Sequence, residues 1–307
     1  MKPLSGQVAV VAGATRGAGR GIACMLGEAG ATVICTGRST RANRPAQAVS
    51  RADPFELRNR PETIEETAEL VTRYGGLGVA RQVDHTVPEQ VAALFDYLRA
   101  EHGQLDVLVN DIWGGDHLTE WGTPFWEHSL EKGFLMQTRA VHAHIITSRY
   151  GAPLMVSRGR GLIVEITDGD TQAYRGNLFY DLAKISAIRL AYAMSEELRP
   201  HGITALAVTP GFLRSEAMLE YFGVTEENWQ EAVKKDPHYI SSETPYFVGR
   251  AIAALAADPQ VFEKTGQALS SWGLSEEYGF TDIDGRRPNW GKYFREVVER
   301  KSNEQAD

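Results

Sequence analysis

The chain has 307 residues, 43% apolar and 23% charged, the balance of a globular protein with a sizeable core. Its net charge of −8 argues against general binding to nucleic acid or an anionic membrane surface, so any phosphate must be met by a local set of amides and arginines. Cys24 and Cys35 are too few for a disulfide framework and make no paired zinc motif, and no stretch has the pattern of a signal peptide or of a membrane-spanning run of about 18 apolar residues.

In chain order, Gln7 to Ala12 is a short apolar run that enters a glycine-rich turn, and Gly19 to Ala29 has helical spacing of its apolar residues. Thr32 to Thr36 is a second strand-like run. Residues 39–62, rich in Arg, Asn and Pro, read as an extended polar loop. Helical stretches follow at Glu89 to His102, Lys132 to Met155 and Phe179 to Arg199, with apolar strand-length runs at Leu105 to Asn110, Gly161 to Thr167 and Ile203 to Val208. These strands are apolar throughout, as in a sheet covered on both faces. The alternation points to an α/β fold, a doubly wound parallel sheet with helices on both sides. One domain over 1–307 is expected, with substrate-side segments at 111–130 and 212–245 and a frayed tail at 301–307. A cytoplasmic location is expected, with both cysteines as buried thiols.

The first chemical motif is Ala12-Gly13-Ala14-Thr15-Arg16-Gly17-Ala18-Gly19, between a strand and a helix. There, Gly13 permits the tight turn, and Gly17 and Gly19 let the backbone approach a pyrophosphate on the helix N-terminus. The second strand continues Thr36-Gly37-Arg38-Ser39-Thr40, with no carboxylate for a ribose 2′-hydroxyl. Arg38, with Ser39 as an added donor and Arg16 nearby, suits a 2′-phosphate instead, so NADP(H) is the expected cofactor.

The catalytic signal is Tyr180-Asp181-Leu182-Ala183-Lys184. Side chains four apart share a helix face. A free tyrosine, with a pKa of about 10, is on the order of 0.1% phenolate at neutral pH. A neighbouring ammonium favours the phenolate and tunes the group for proton exchange with a carbonyl or alcohol oxygen.

Taken in order, AGATRGAG, TGR, Val83-Asp84, Leu108-Val109-Asn110, YDLAK and Thr209-Pro210-Gly211 resemble the short-chain dehydrogenase/reductase family over about residues 4–290. RYGAPLMV from Arg149 and YGFTDIDGRRP from Tyr278 are similar to its branch represented by dehydrogenase/reductase SDR family member 1. The resemblance implies a Rossmann-type sheet of about seven parallel strands, a carbonyl–alcohol oxidoreductase, and a homodimer or homotetramer built on the Lys184 helix and the one before it. It assigns Tyr180 as acid/base and Lys184 to the nicotinamide ribose and to lowering the tyrosine pKa. Thr15 and Ala18 fall within its phosphate turn, Asp84 would meet the adenine, Asn110 the cofactor edge, and Pro210, Gly211 and Ser215 the nicotinamide amide.

Two positions depart from that pattern. The family's serine, 12 or 13 residues before the tyrosine, is replaced by Thr167 and Asp168. An ionised carboxylate about 4 Å from a developing alkoxide would cost about 4 kcal/mol at an effective dielectric near 20. Neighbours on a strand point opposite ways, and Thr167 is the preferred inward-facing group. The family's asparagine upstream falls at Ala140, so its water-linked relay is expected to be missing or built differently.

Acidic residues (Asp111, Asp116, Asp168, Asp170) gather near the site and admit two readings: a pocket for amine-bearing or imine substrates, or hydrogen-bonded carboxylates that stiffen loops. Glu165, in a strand that should be buried, is a further member of this acidic group. Trp113, Trp121, Phe125 and Trp126 either wall the pocket or pack their loop. His85 reads as a turn residue, and His142 and His144 diverge on a helix, so no metal is expected. A catalytically weak NADP-binding sensor remains the alternative to an enzyme.

Overall fold

A computed structural model describes residues 1–43, 55–56 and 60–299. Most of the expected 39–62 loop and the expected frayed tail 301–307 lie outside the described residues.

Seven strands form one parallel sheet: β1 (Val8–Ala12), β2 (Thr32–Gly37), β3 (Leu77–Gln82), β4 (Val107–Asn110), β5 (Gly161–Ile166), β6 (Ile203–Thr209) and β7 (Ala268–Ser270), in the order β3-β2-β1-β4-β5-β6-β7. Successive side chains leave a strand on opposite faces. Ala9 and Val11 of β1, with Val107 and Val109 of β4, therefore enter one core, while Val8, Val10 and Leu108 enter the other. Helices α1 (Gly17–Glu28) and α2 (Ile64–Arg73) cover the first face, and α3 (Pro88–Glu101) covers the second through Val91, Leu94 and Phe95. Burial on both faces explains why the central strands carry continuous apolar runs.

Two strands are absent from the sequence reading. In β3 the pattern Leu-Gly-Val-Ala-Arg-Gln has no apolar run, because it is an edge strand with Leu77 largely exposed, and β7 is only three residues long. The expected helix from Lys132 to Met155 is divided into α4 (Leu130–Gln137), a π-turn over Thr138–His142 and α5 (Ala143–Val156). A π-turn adds one residue to a single helical turn, and so local a shift of phase does not stand out in the apolar spacing. Ala140 lies in this turn, buried beside Leu118, Met136 and Ala183.

Helix α6 (Leu178–Leu198) begins where Asn177 caps it, its Oδ1 accepting from the Tyr180 amide at 3.1 Å. Tyr180 is thereby placed in the first turn, at the C-terminal edge of the sheet. Asn177 is almost fully buried and also donates to the Glu120 carbonyl. Its replacement by Ala is expected to lower stability by about 1–2 kcal/mol, read as a shift in the denaturant midpoint at constant slope. The C-terminal part adds α7 (Glu216–Phe222), α8 (Pro245–Ala257) and α9 (Ser271–Tyr278). No helix among the described residues is long and apolar enough to cross a membrane.

Candidate active site

The strand order reverses between β1 and β4, and such a switch point opens a crevice beyond the carboxyl ends of the strands. A cavity of about 760 Å³ lies there. Its walls include Gly13, Thr15, Arg16, Gly17 and Ala18 from the glycine turn, Arg38 and Ser39 from the end of β2, and Asp84. Thr167, Asp168, Tyr180, Lys184, Pro210, Gly211 and Ser215 also line it.

Gly19 and Asn110, both expected to meet the cofactor, are not on that wall. A Cβ at Gly19 would stand 2.3 Å from the Gly13 carbonyl oxygen, so this glycine serves the packing of the turn on its own helix. Gly13 has φ +95°, and a Cβ there would meet the Asp111 carbonyl at 2.2 Å, so both the turn and the close approach of β4 require glycine. Asn110 is fully buried beneath the cavity, its amide donating to Ser148 Oγ at 2.8 Å and Glu165 Oε1 at 2.7 Å.

The N-terminus of α1 already holds a carboxylate. The Gly17 amide donates to Glu216 Oε2 at 2.8 Å, and an Arg20 guanidinium nitrogen lies 3.7 Å from Glu216 Oε1. Arg16 Nε lies 3.3 Å from Glu62 Oε2. Amides and arginines that bind carboxylates in this geometry present the donors that phosphate oxygens would take once Glu216 moves aside. Arg38 is half exposed at the far end, with Nη1 4.0 Å from Asp84 Oδ2. Burial alone would raise the Asp84 pKa, but two bonds from Thr86, with Arg38, hold it below the usual range.

At the other end the tyrosine hydroxyl donates to Asp168 Oδ2 at 2.8 Å. Thr167, preferred from sequence, instead donates its hydroxyl to the Lys184 carbonyl at 2.7 Å. Both residues lie beyond the end of β5 and line the cavity, but it is Asp168 and not Thr167 that bonds the tyrosine. Arg175 completes the loop, donating to the Asp168 carbonyl and, at 3.0 Å, to Asp181 Oδ1.

This geometry also revises the electrostatics. Burial and the adjacent Asp168 carboxylate hold the Tyr180 pKa well above its ordinary value, rather than lysine drawing it down. Burial lowers the Lys184 pKa against the pull of Asp168, Asp116 and Asp111. The Lys184 ammonium sits 3.8 Å from the Trp113 ring centroid and 5.5 Å from that of Tyr180. Burial pushes Asp111 up to about 7.

The aromatic group divides. Trp113 and Trp121 line the cavity and contact the Tyr180 ring at 5.5 and 5.1 Å, whereas Phe125 and Trp126 are exposed and meet each other edge-on. Asp116 accepts from the Trp113 indole at 2.7 Å, the stiffening reading for that residue. His85 lies in the turn after β3, as expected, but is buried between the Thr36 and Thr147 hydroxyls, and its pKa is pushed down to about 3.

Sequence reasoning missed Glu216, Arg139, Trp290 and Phe294. Arg139 reaches the cavity and donates to the Gly114 carbonyl at 2.9 Å, and the last two close the cavity from the C-terminal segment. Only chain order relative to Ser215 pointed to Glu216, and nothing local marked the others.

A Rossmann-type sheet whose switch point joins a glycine turn to a helical Tyr–Lys pair defines a short-chain dehydrogenase/reductase, and the chain belongs to that family. Residues 57–271 match the family profile described as Enoyl-(Acyl carrier protein) reductase. The chain is 34% identical over 288 residues to dehydrogenase/reductase SDR family member 1 of Mus musculus, and 34% identical over 289 residues to that of Homo sapiens. Each match covers 92% of this chain and 85% of the relative. Among solved structures, a putative dehydrogenase from Xanthomonas campestris superposes with a TM-score of 0.72 at 22% identity, over 92% of this chain and 94% of that one. A metagenomic short-chain oxidoreductase in complex with NADP gives 0.61 at 24%, over 84% and 94%. The chain is thus an oxidoreductase of a family whose fold binds a nicotinamide cofactor.

Proposed function

We propose that this protein is an NADP(H)-dependent reductase that converts a carbonyl to an alcohol at Tyr180. The observation that carries the reading is one cavity with phosphate-suited groups at one end and the Tyr180–Lys184 pair at the other. Gly17 and Arg16 would hold the pyrophosphate, Arg38 and Ser39 the adenosine 2′-phosphate, and Ser215 the nicotinamide amide. Pro210 and Gly211 would border the nicotinamide.

Bound NADPH supplies the hydride. Tyr180 Oη delivers a proton to the substrate oxygen, and the Lys184 ammonium favours the oxyanion that precedes it. Because its pKa is raised, Tyr180 stays in the protonated form that reduction requires, while the phenolate that alcohol oxidation requires is scarce at neutral pH. Trp113 and Trp121 exclude water from one side of the phenol.

A second reading is favoured by the Asp168–Tyr180 contact. A carboxylate beside the reacting atom opposes a developing oxyanion but supports a protonated imine, so an amine- or imine-directed reductase is the alternative substrate class. A homo-oligomer is expected through α5 and α6, which leave Ile145, Leu182 and Tyr192 exposed.

Arg38→Ala tests the cofactor. It is expected to weaken NADPH by about 10- to 100-fold, the worth of a charged hydrogen bond, with NADH little changed, both measured by calorimetry. Equal losses for the two would remove the 2′-phosphate assignment. NADPH oxidation should be followed on a panel of ketones, aldehydes and imines; cofactor binding without turnover would leave the sensor reading in its place.

A further inference from the structure

Beneath the reactive end lies a buried polar network that the proton transfer does not use. Glu165, within β5, is fully buried, and its Oε2 lies 2.5 Å from His144 Nδ1. His144 Nε2 lies 3.0 Å from the Ile112 carbonyl oxygen. A carbonyl can only accept, so Nε2 carries a proton, and the contact with the carboxylate places a second proton between Nδ1 and Oε2. The pair therefore holds two protons and is neutral overall, the form in which a buried ion pair is tolerated. Glu165 and the carbonyl keep the imidazole pKa raised against burial. His85, buried nearby without a bonded carboxylate, is pushed down to about 3.

The clamp acts on a particular peptide. After β4 the Asp111 amide still donates to Ala12 O at 2.9 Å, but the chain then leaves the sheet in an irregular loop. The Ile112 carbonyl is the next backbone group to be held, and Trp113 projects from the following residue. The Trp113 ring supports the Lys184 ammonium at 3.8 Å and meets the Tyr180 ring edge-on. A cation over an indole face is held by the ring quadrupole, so a shift of the indole shifts the ammonium.

We propose that His144, held by Glu165, is a positioning residue: by clamping the Ile112 carbonyl it fixes Trp113 as the platform that aims Lys184 at the reacting oxygen. This rests on the reading of Tyr180 and Lys184 as the reactive pair. It adds two groups, His144 and Trp113, that the family resemblance did not assign.

The test is a double-mutant cycle on the full chain, with thermal midpoints recorded to establish that each variant is folded. His144→Leu and Trp113→Leu are each expected to lower kcat by about 100-fold, the cost of an ångström-scale misplacement. Substrate KM and the calorimetric NADPH Kd should stay within about threefold in both, since a positioning group acts on the transition state and not on ground-state binding. The double variant should be no slower than either single one, because both break the same chain of contacts. His144→Gln, which keeps a donor for Ile112, and Trp113→Phe, which keeps a ring face, should each restore most of the rate.

Unchanged kcat in folded His144→Leu, or multiplicative losses in the double variant, overturns the clamp. Unchanged kcat in Trp113→Leu overturns it even if His144→Leu does not fold, because Trp113 stands on the cavity wall and outside the buried network. If Tyr180→Phe is inactive while these variants are normal, the clamp alone fails. If Tyr180→Phe keeps full turnover, the reading of the site fails and the clamp with it.

Discussion

Tyr180→Phe is expected to lower the turnover of carbonyl reduction by about 10²- to 10⁴-fold, the usual worth of a positioned general acid. NADPH affinity should change by no more than about threefold, since the lost group is a hydroxyl aimed at substrate and not at the phosphates that dominate binding. The substitution removes one oxygen and keeps the ring that contacts Trp113 and Trp121, so packing is preserved. Single-turnover hydride transfer, with calorimetry of the cofactor, separates the two effects. The pH dependence follows from the same environment. With its pKa held above the ordinary value, the phenol remains protonated through neutral and mildly alkaline pH. Reduction should therefore show no falling limb from Tyr180 between about pH 7 and 10. Alcohol oxidation, which needs the phenolate as base, should still be rising at the top of that range. A reduction profile that falls with a midpoint near neutrality would show that lysine, not Asp168, controls the tyrosine.

The second large effect is at Asp168. Its carboxylate accepts the tyrosine hydroxyl at 2.8 Å and so lies within a few ångströms of any oxygen that Tyr180 protonates. At about 4 Å and an effective dielectric near 20 the opposition to an alkoxide is about 4 kcal/mol, or about a thousandfold in rate as a ceiling. Asp168→Ser is expected to raise reduction of neutral ketones toward that ceiling and to lower the Tyr180 pKa. For a protonated imine the sign reverses, because the carboxylate then faces a cation that it stabilises. Comparing a neutral ketone with a cyclic imine in wild type and Asp168→Ser thus measures substrate class directly. A ketone rate that does not rise would mean that the reacting oxygen does not sit beside this carboxylate.

Much of this architecture is local and was legible before any coordinates. Apolar runs of strand length, a glycine turn between strand and helix, and a Tyr and Lys four apart each depend on residues within one element. Their order along the chain placed them on one sheet. The edge strands β3 and β7 were not legible, because an edge needs no continuous apolar run. The π-turn around Ala140 was not legible, because one extra residue in a helix leaves the side-chain chemistry unchanged.

By itself, then, the sequence determined the fold class, the family, the glycine turn between strand and helix, and the Tyr–Lys pair. Only the tertiary structure decided which of Thr167 and Asp168 meets the tyrosine, that Glu165 is joined to His144, that Glu216 rests on the α1 N-terminus, and that Trp113 supports Lys184. The physical reason is the same in each case. Element type and nucleotide turn follow from short-range periodicity and backbone conformation. The direction of a polar side chain follows from which donor or acceptor, often far along the chain, arrives within about 3 Å of it.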